Sequence, residues 1–173
     1  MSYTRKELLS AVYERAYQNE AEFGVCPQAV LAALQDYFRF IDDSLIQASH
    51  ALAGGIARST DGTCGALNGG LIVISSIYGR KRSEFGEKTG NHEKGEMIAR
   101  ELHDRFAAEF GGVICREVQE KVFGRSYNLR DPREFEKFEA DGGHTDKCPL
   151  VTGKAARMTA EILLDHGIEP DQG

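Results

Sequence analysis

The sequence has no long apolar stretch and no surplus of positive charge. Its longest apolar segment, 71–77, is far shorter than the roughly 20 residues that a membrane-spanning helix needs. Residues 1–20 mix charged and apolar side chains, so we expect no signal peptide and no membrane association. The 21 Lys and Arg residues are outnumbered by 27 Asp and Glu residues, for a formal net charge of −6. General binding to nucleic acid, which requires a basic surface, is therefore not expected.

Sequence-local binding motifs are missing as well. The four cysteines contain no Cys-x-x-Cys pair, which excludes a zinc ribbon built from neighbouring ligands and a thioredoxin-type motif. The glycine-rich stretch 62–70 lacks the Lys-Ser/Thr ending of a phosphate-binding loop and the strand that precedes one. Acidic residues are plentiful, but none is paired in a way that indicates acid–base catalysis. Any site that the cysteines share must be assembled by the fold.

Helical periodicity is the dominant pattern in the chain, and it predicts an all-α bundle of about six helices. With 173 residues, 41% of them hydrophobic and 28% charged, we expect a single helical domain over 1–173. Thr4 and Glu7 form a capping-box pattern ahead of the first apolar stripe, which Gly24 ends. The sequence therefore predicts a first helix between Thr4 and Gly24.

The later helices are predicted from residues that start and stop helices. The apolar stretch 71–77 would also suit a strand, but no partner strand is evident elsewhere, so we expect a buried helix there. We expect helices from Cys26 to about Phe40, from Asp42 or Asp43 to about Leu52, from Cys64 to about Gly79, from Asn91 to Phe110, from Cys115 to Phe123, from Asp131-Pro132 onward, and from Cys148 to Gly167.

The polar segment 125–147 is the least core-like part of the chain. Two interpretations fit its composition: a mobile lid over a site, or an excursion over the protein surface. The surface excursion is the simpler of the two, so we expect this segment to lie outside the core.

All four cysteines fall at or near predicted helix starts. Cys26 and Cys148 directly precede a proline, which is favoured as the first helical residue. The unpaired amides and partial positive charge of a helix start stabilise a thiolate, so we expect a lowered pKa for each thiol. A buried cysteine can also serve simply as a small hydrophobe. Four coincident positions favour a shared thiol site, formed in a cytoplasmic protein where structural disulfides are rare.

Two histidines are candidates for a role beside the cysteines. His144 lies four positions before Cys148, and His50 lies shortly before the Gly54-Gly55 pair. Either is suited to bind a metal or to donate a proton. The other three, His92, His103 and His166, have no comparable neighbours in the sequence.

The order and context of the cysteines resemble a known family. Cys26, the motif Cys64-Gly65-Ala66-Leu67-Asn68-Gly69, Cys115 and Cys148 are similar to the C_GCAxxG_C_C family, which is named for redox activity. The resemblance extends over about residues 24–160 and includes Gly54-Gly55 and Phe110-Gly111. It implies that the four cysteines are the site residues. A related domain occurs in split-Soret cytochromes, where an iron–sulfur cluster is associated with it, but this chain has no Cys-x-x-Cys-His haem motif.

Three functions are compatible with this pattern. The first is a cytoplasmic redox protein, an oxidoreductase or electron carrier, whose four cysteines bind an iron–sulfur cluster or another thiophilic metal. The second is a cofactor-free thiol–disulfide oxidoreductase with Cys64 as its nucleophile. The third is a non-enzymatic metal-sensing or binding module. A homodimer is compatible with all three, and the sequence does not identify a redox partner.

Overall fold

The computed structural model describes residues 3–87 and 90–171. In this part of the chain the regular structure is helical, which confirms the predicted all-α class, and two residues form an isolated β-bridge. Short 3₁₀ turns follow α3 and α4, and one turn of π-helix precedes α8. The α-helices are α1 (Arg5–Phe23), α2 (Cys26–Gln35), α3 (Asp43–Ser49), α4 (Gly65–Tyr78), α5 (Asn91–Phe110), α6 (Cys115–Phe123), α7 (Pro132–Ala140) and α8 (Cys148–Asp165).

Eight α-helices in the described residues make up the bundle. Each of them has a predicted start, so the predicted total of about six was too low. Most predicted boundaries are confirmed, including those of α5 and α6. The predicted helix from Cys26 to Phe40 is too long, because α2 ends at Gln35. Tight turns follow, and they place Phe38 and Ile41 in the core. The side-chain amide of Gln35 donates to the Ile41 carbonyl at 2.9 Å and so holds these turns in place.

The predicted capping residues account for how α1 begins and ends. The Thr4 hydroxyl accepts a hydrogen bond from the Glu7 amide, and the Glu7 carboxylate accepts one from the Thr4 amide at 2.9 Å. Gly24 ends the helix with a φ of 64°, a left-handed conformation that glycine adopts without strain. Local side-chain chemistry thus delimits this helix before any packing is considered.

The centre of the bundle is α4, the apolar segment for which a strand was the alternative. It packs against α2, α5 and α8, which bury Leu67, Val73 and Ile74. A Cβ at Gly69 would lie 2.8 Å from both the Pro27 carbonyl oxygen and Val30 Cβ. Glycine is therefore required for α2 to approach α4 this closely.

The long helix α1 packs along α8 and against α2, and its apolar stripe completes the main core. No helix among the described residues has both the length and the apolar character to cross a bilayer.

The segment 125–147 is more than a surface excursion. Tyr127, Leu129 and Phe138 form a second buried cluster, against which Phe123 and Phe135 pack. The expectation that this segment lies outside the core is wrong. Its apolar residues are too few and too scattered to stand out in a polar sequence, and they are buried only because the segment folds over the helix starts.

Candidate functional site

The starts of four helices meet around one cavity. Cys26, Cys115 and Cys148 are the first residues of α2, α6 and α8, and Cys64 directly precedes α4. All four thiols line a cavity of about 50 Å³. Cys64 and Cys115 are buried, and Cys26 and Cys148 are partly buried. The fold brings together four residues that are far apart in the sequence.

An antiparallel backbone bridge holds Cys64 beside Cys115. The Cys64 amide donates to the Val113 carbonyl at 2.8 Å, and the Cys115 amide donates to the Gly62 carbonyl at 2.9 Å. These bonds tie the loop before α4 to the loop before α6. The two helix starts are therefore fixed relative to each other by backbone contacts alone.

The loop that precedes Cys64 follows a left-handed path. Residues 54–58 all have positive φ, between 49° and 69°. Such a conformation costs about 1–2 kcal/mol for each residue that is not glycine. A Cβ at Gly55 would lie 2.5 Å from Cys115 Cβ and 2.9 Å from Thr60 Cα. The strained turn forms one wall of the cavity, a setting in which backbone strain often accompanies function.

The glycine of the Cys64-Gly65 pair allows α2 and α4 to begin side by side. A Cβ at Gly65 would lie 2.8 Å from Pro27 Cδ and 3.3 Å from Cys26 Sγ. Any larger residue would push the start of α2 away from the start of α4. The motif glycine therefore keeps the Cys26 and Cys64 thiols at one cavity.

Aromatic side chains cover the cavity on the side of α7. Phe123, Phe135 and Phe138 line it, and the Phe138 ring centroid lies 5.4 Å from that of Phe123 and 5.9 Å from that of Phe135. The Arg58 guanidinium lies over the Phe135 ring, 5.0 Å from its centroid, within the range of a cation–π contact. These contacts join the left-handed turn to α7 and limit the access of water to the thiols.

Burial raises the pKa of the Cys64 and Cys115 thiols. For Cys64 the pKa rises to about 11, although the amides of Ala66 and Leu67 at the start of α4 lower it. For Cys115, burial and then the neighbouring Cys64 raise the pKa, and a hydrogen bond from Gln119 Nε2, 3.8 Å from Sγ, lowers it. At Cys64 the amides of the helix start lower the thiol pKa, as predicted, but burial away from water raises it by more.

The pKa values of the Cys26 and Cys148 thiols are also raised well above the ordinary value. Burial is the main cause for both, and the negative charge of Glu20 is the next. The prediction of lowered thiol pKa values is therefore wrong for all four cysteines. It considered only the field of each helix start, whereas burial depends on contacts between distant segments.

Glu20 belongs to the cavity, although the sequence did not single it out. Its side chain is 0% exposed, and no N–H or O–H group of the described residues donates a hydrogen bond to either carboxylate oxygen. Burial raises the pKa of Glu20 to about 7; the Cys26 thiol, a weak donor, lowers it, and the charge of Glu139 raises it. A carboxyl group without a strong donor is thus held against the thiols.

A sequence signal for Glu20 does exist. It continues, at four-residue spacing, the buried row of Leu8, Val12 and Ala16 on α1. A single acidic residue on an otherwise apolar helix face is costly unless its charge is neutralised or paired. That misfit with the periodic pattern is what could have identified Glu20.

Of the two candidate histidines, the fold places His144 at the cavity. Its Nδ1 lies 2.5 Å from Glu139 Oε1, and its Nε2 lies 4.0 Å from Glu20 Oε1. His50 is exposed and lies apart from the cavity lining, with its Nδ1 3.3 Å from Gln28 Oε1. The geometry therefore supports a role beside the cysteines for His144 but not for His50.

The thiols do not converge on a single point. Within residues 3–87 and 90–171, no three His, Cys, Asp or Glu side chains are grouped so that they could hold one metal ion. All four cysteines line the same cavity. Four thiols, an unpaired carboxyl group and an imidazole nonetheless make a donor set that suits soft or borderline metals.

One comparison with known proteins gives a match. The family model C_GCAxxG_C_C, described as a putative redox-active protein, matches residues 25–162, close to the range expected from the cysteine pattern. No curated protein and no solved structure matches the chain.

Proposed function

The chain belongs to the C_GCAxxG_C_C family, and from that premise we propose that it is a redox protein whose four thiols bind an iron–sulfur cluster or another thiophilic metal. The proposed ligands are Cys26, Cys64, Cys115 and Cys148. One observation carries the proposal: all four thiols line a single cavity that apolar side chains cover.

The raised thiol pKa values favour a bound cation over free thiolates. Deprotonation of several sulfurs in one apolar cavity brings negative charges together without water to solvate them. A metal offsets that repulsion, because thiolates are its ligands and its charge opposes theirs. Burial that opposes deprotonation of the free thiols is therefore compatible with a metal site.

The distribution of the sulfurs favours a cluster over a single ion. A tetrahedral ion draws its four ligands to within about 2.3 Å of one point. In an iron–sulfur cluster the four thiolates are divided among two or four irons, so the sulfurs lie farther apart around a larger centre. Four thiols that line one cavity, without three donors around a single point, suit the second arrangement better.

The surrounding residues would hold and tune such a group. When bound, an iron–sulfur cluster supplies electron transfer at a potential set by hydrogen bonds to its sulfurs and by solvent exclusion. Gln119 directs an amide donor at Cys115 Sγ, and the first amides of α4 stabilise negative charge on Cys64. Phe135 and Phe138 line the same cavity and limit the access of water.

A cofactor-free thiol–disulfide mechanism is less well supported. It needs an accessible thiolate at neutral pH, and its sequence-based nucleophile was Cys64. The Cys64 thiol is buried, and its pKa is raised to about 11. The metal-sensing module shares the metal proposal and differs in having no redox potential, so a redox titration separates the two.

The decisive experiment is anaerobic purification followed by metal, sulfide and visible-spectrum analysis. We expect iron with acid-labile sulfide, or a different thiophilic metal bound in fixed proportion. Colourless protein that contains no iron, zinc or copper would overturn the proposal. Rapid alkylation of a single native thiol at pH 7 would favour the thiol–disulfide mechanism instead.

Single substitutions test the ligand set. Each Cys→Ser change should reduce the bound metal, because a hydroxyl is a poor ligand for soft metals. Val118→Thr is a matched control, since it introduces a hydroxyl into the same cavity wall without removing a thiol. Equal metal content in all five variants would contradict the proposed ligands.

A cytoplasmic location, electron exchange with a redox partner and homodimerisation remain predictions. Whether the chain acts as an electron carrier or as an oxidoreductase follows from the same redox titration, extended with candidate acceptors.

A further inference from the structure

Gln119 is a buried polar side chain that lies between a thiol and the segment 125–147. It is 2% exposed and lines the cavity, one helical turn after Cys115 on α6. Its Nε2 donates to Cys115 Sγ at 3.8 Å, and its Oε1 accepts a hydrogen bond from the backbone amide of Tyr127 at 2.8 Å. One end of the side-chain amide is therefore bound to the site, and the other end to the segment that folds over it.

The backbone amide of Tyr127 fixes the orientation of the Gln119 side chain. A backbone N–H can only donate, so the Gln119 oxygen must face Tyr127 and the NH₂ group must face the sulfur. The reverse orientation would set two donors against each other at Tyr127 and would turn the carbonyl oxygen towards the sulfur. Gln119 therefore presents a donor to Cys115 for as long as Tyr127 stays in place.

Tyr127 is itself held by the second core. Its ring is buried, with its centroid 5.3 Å from that of Phe123 and 5.7 Å from that of Phe138. Its hydroxyl donates to Asp141 Oδ2 at 2.7 Å. The segment 125–147 contains no cysteine, yet its packing decides which group of the Gln119 side chain faces the sulfur.

We infer that Gln119 is a positioning residue of the thiol site: held by the Tyr127 amide, it keeps a hydrogen-bond donor at Cys115 Sγ and thereby raises the reduction potential of the group that the thiols bind. The inference rests on the proposed function and deepens it, because it links the potential to the segment 125–147.

The direction of the effect follows from charge. One electron from an external donor makes the sulfur ligands more negative, and a hydrogen-bond donor stabilises this reduced form more than the oxidised form. No bond forms or breaks at Gln119, and its proton stays on nitrogen. Loss of the donor should therefore lower the potential and leave the four thiol ligands in place.

A redox titration of anaerobically purified protein tests the inference, with dithionite as reductant and with metal content measured on the same samples. Gln119→Met removes the donor and keeps an unbranched side chain of similar length. Gln28→Met is the matched control, because the Gln28 side chain also donates to a backbone carbonyl, that of Ile46 at 3.0 Å, but lies outside the cavity lining.

Gln119→Met should keep the wild-type metal content. At a given applied potential its ratio of reduced to oxidised protein should fall about tenfold, which corresponds to about 59 mV for a one-electron couple. The control should titrate as the wild type does. A purely structural role would lower metal content or stability and leave the potential of the loaded protein unchanged. That result, or a change in the ratio of less than about twofold, would overturn the inference.

Hydrogen exchange in the metal-free protein tests the contact with Tyr127 without any bound group. Gln119→Met removes the acceptor, so the Tyr127 amide should exchange about tenfold faster. Gln119→Glu keeps a carboxylate oxygen for that amide and should exchange at nearly the wild-type rate. Equal Tyr127 rates in the wild type and both variants would overturn the inference as well.

The titration also distinguishes this inference from the proposed function. A wild type that holds a redox-active group, with the same potential in Gln119→Met, contradicts the role of Gln119 alone. A wild type that contains zinc and shows no potential does the same. A wild type that holds no metal or cluster overturns the proposed function and this inference together.

Discussion

At the scale of single residues, two effects oppose each other on the same sulfur atoms. Amides at the start of α4 lower the pKa of Cys64, whereas burial raises it to about 11. The larger effect is burial, because water solvates a thiolate more effectively than two amides do. The chemistry of each cysteine is thus decided by what covers it as much as by its place on a helix.

Glu20 should make the stability of the metal-free protein depend on pH. Its pKa is raised from about 4.5 to about 7, so the folded state holds this proton more tightly than the unfolded state. The protonated carboxyl group contributes about 3 kcal/mol to the free energy of unfolding. This contribution is fully present below about pH 4.5 and is lost as the pH rises to about 7. Urea unfolding of wild type and Glu20→Gln across this range measures it.

The difference in free energy of unfolding between wild type and Glu20→Gln should therefore change by about 3 kcal/mol between about pH 4.5 and pH 7. Glu22→Gln, exposed on the same helix, should follow the wild-type curve. Parallel curves for wild type and Glu20→Gln would show that the carboxyl group titrates normally.

Gly55 should be required for its contacts as well as for its conformation. A Cβ added to Gly55 would lie 2.5 Å from Cys115 Cβ. A Cβ added to Gly111 would have no atom within 4 Å. Both residues have positive φ, 69° and 75°. Gly111→Ala should therefore cost about 1–2 kcal/mol for its conformation alone. Gly55→Ala should cost clearly more in urea unfolding and should weaken metal binding.

Equal losses of stability in these two variants would mean that the left-handed turn tolerates the extra carbon. The close packing of Gly55 against Cys115 would then have no energetic consequence.

At the scale of elements, two separate cores support the cavity. The main core lies between α1, α2, α4, α5 and α8, and the second joins α6 and α7 over the thiols. The second core is small, so its local opening should cost less than unfolding of the whole chain. Access to the thiols is therefore expected to depend on this smaller cluster.

Replacing one phenylalanine in each core by alanine should distinguish an effect on overall stability from an effect on the accessibility of the thiols. Phe138 is 2% exposed in the second core, and Phe106 is 0% exposed in the main core. Either change to Ala should cost about 3–5 kcal/mol. Only Phe138→Ala should speed alkylation of the cysteines in native metal-free protein, as measured by mass spectrometry over time.

The comparison is made in urea concentrations that leave the two variants equally stable. Equal alkylation rates under those conditions would show that the thiols are exposed by global unfolding and that the second core is no cover.

At the scale of the whole molecule, a bound metal would join distant segments. The proposed ligands extend from Cys26 to Cys148 and belong to four helix starts. A group bound only by the folded chain stabilises it, by about 2.7 kcal/mol when its free concentration is 100 times its Kd. The metal should therefore stabilise the complete fold.

Reconstituted protein should unfold at a higher urea concentration than metal-free protein, and a chelator should abolish the difference. Cys148→Ser should show little stabilisation, because it removes the ligand on the last helix. An identical midpoint with and without metal would mean that the metal binds the unfolded chain equally well or binds outside the core.

The helices themselves follow largely from local sequence. Thr4, Asp42 and Asp131 cap their helices through their own side chains, so α1, α3 and α7 begin where predicted. The end of α2 was missed, because Phe38 and Ile41 leave the helical path to enter a core that the local pattern does not reveal. Boundaries set by capping are predictable, and boundaries set by packing are not.

By itself the sequence determined the helix starts and the position of each cysteine at or beside one of them. Only the tertiary structure decided that the thiols share one cavity, that their pKa values rise, and that Glu20 and the aromatic residues of 123–138 belong to the same place. The reason is physical: capping acts over a few neighbouring residues, whereas burial and proximity arise from contacts between segments far apart in the chain.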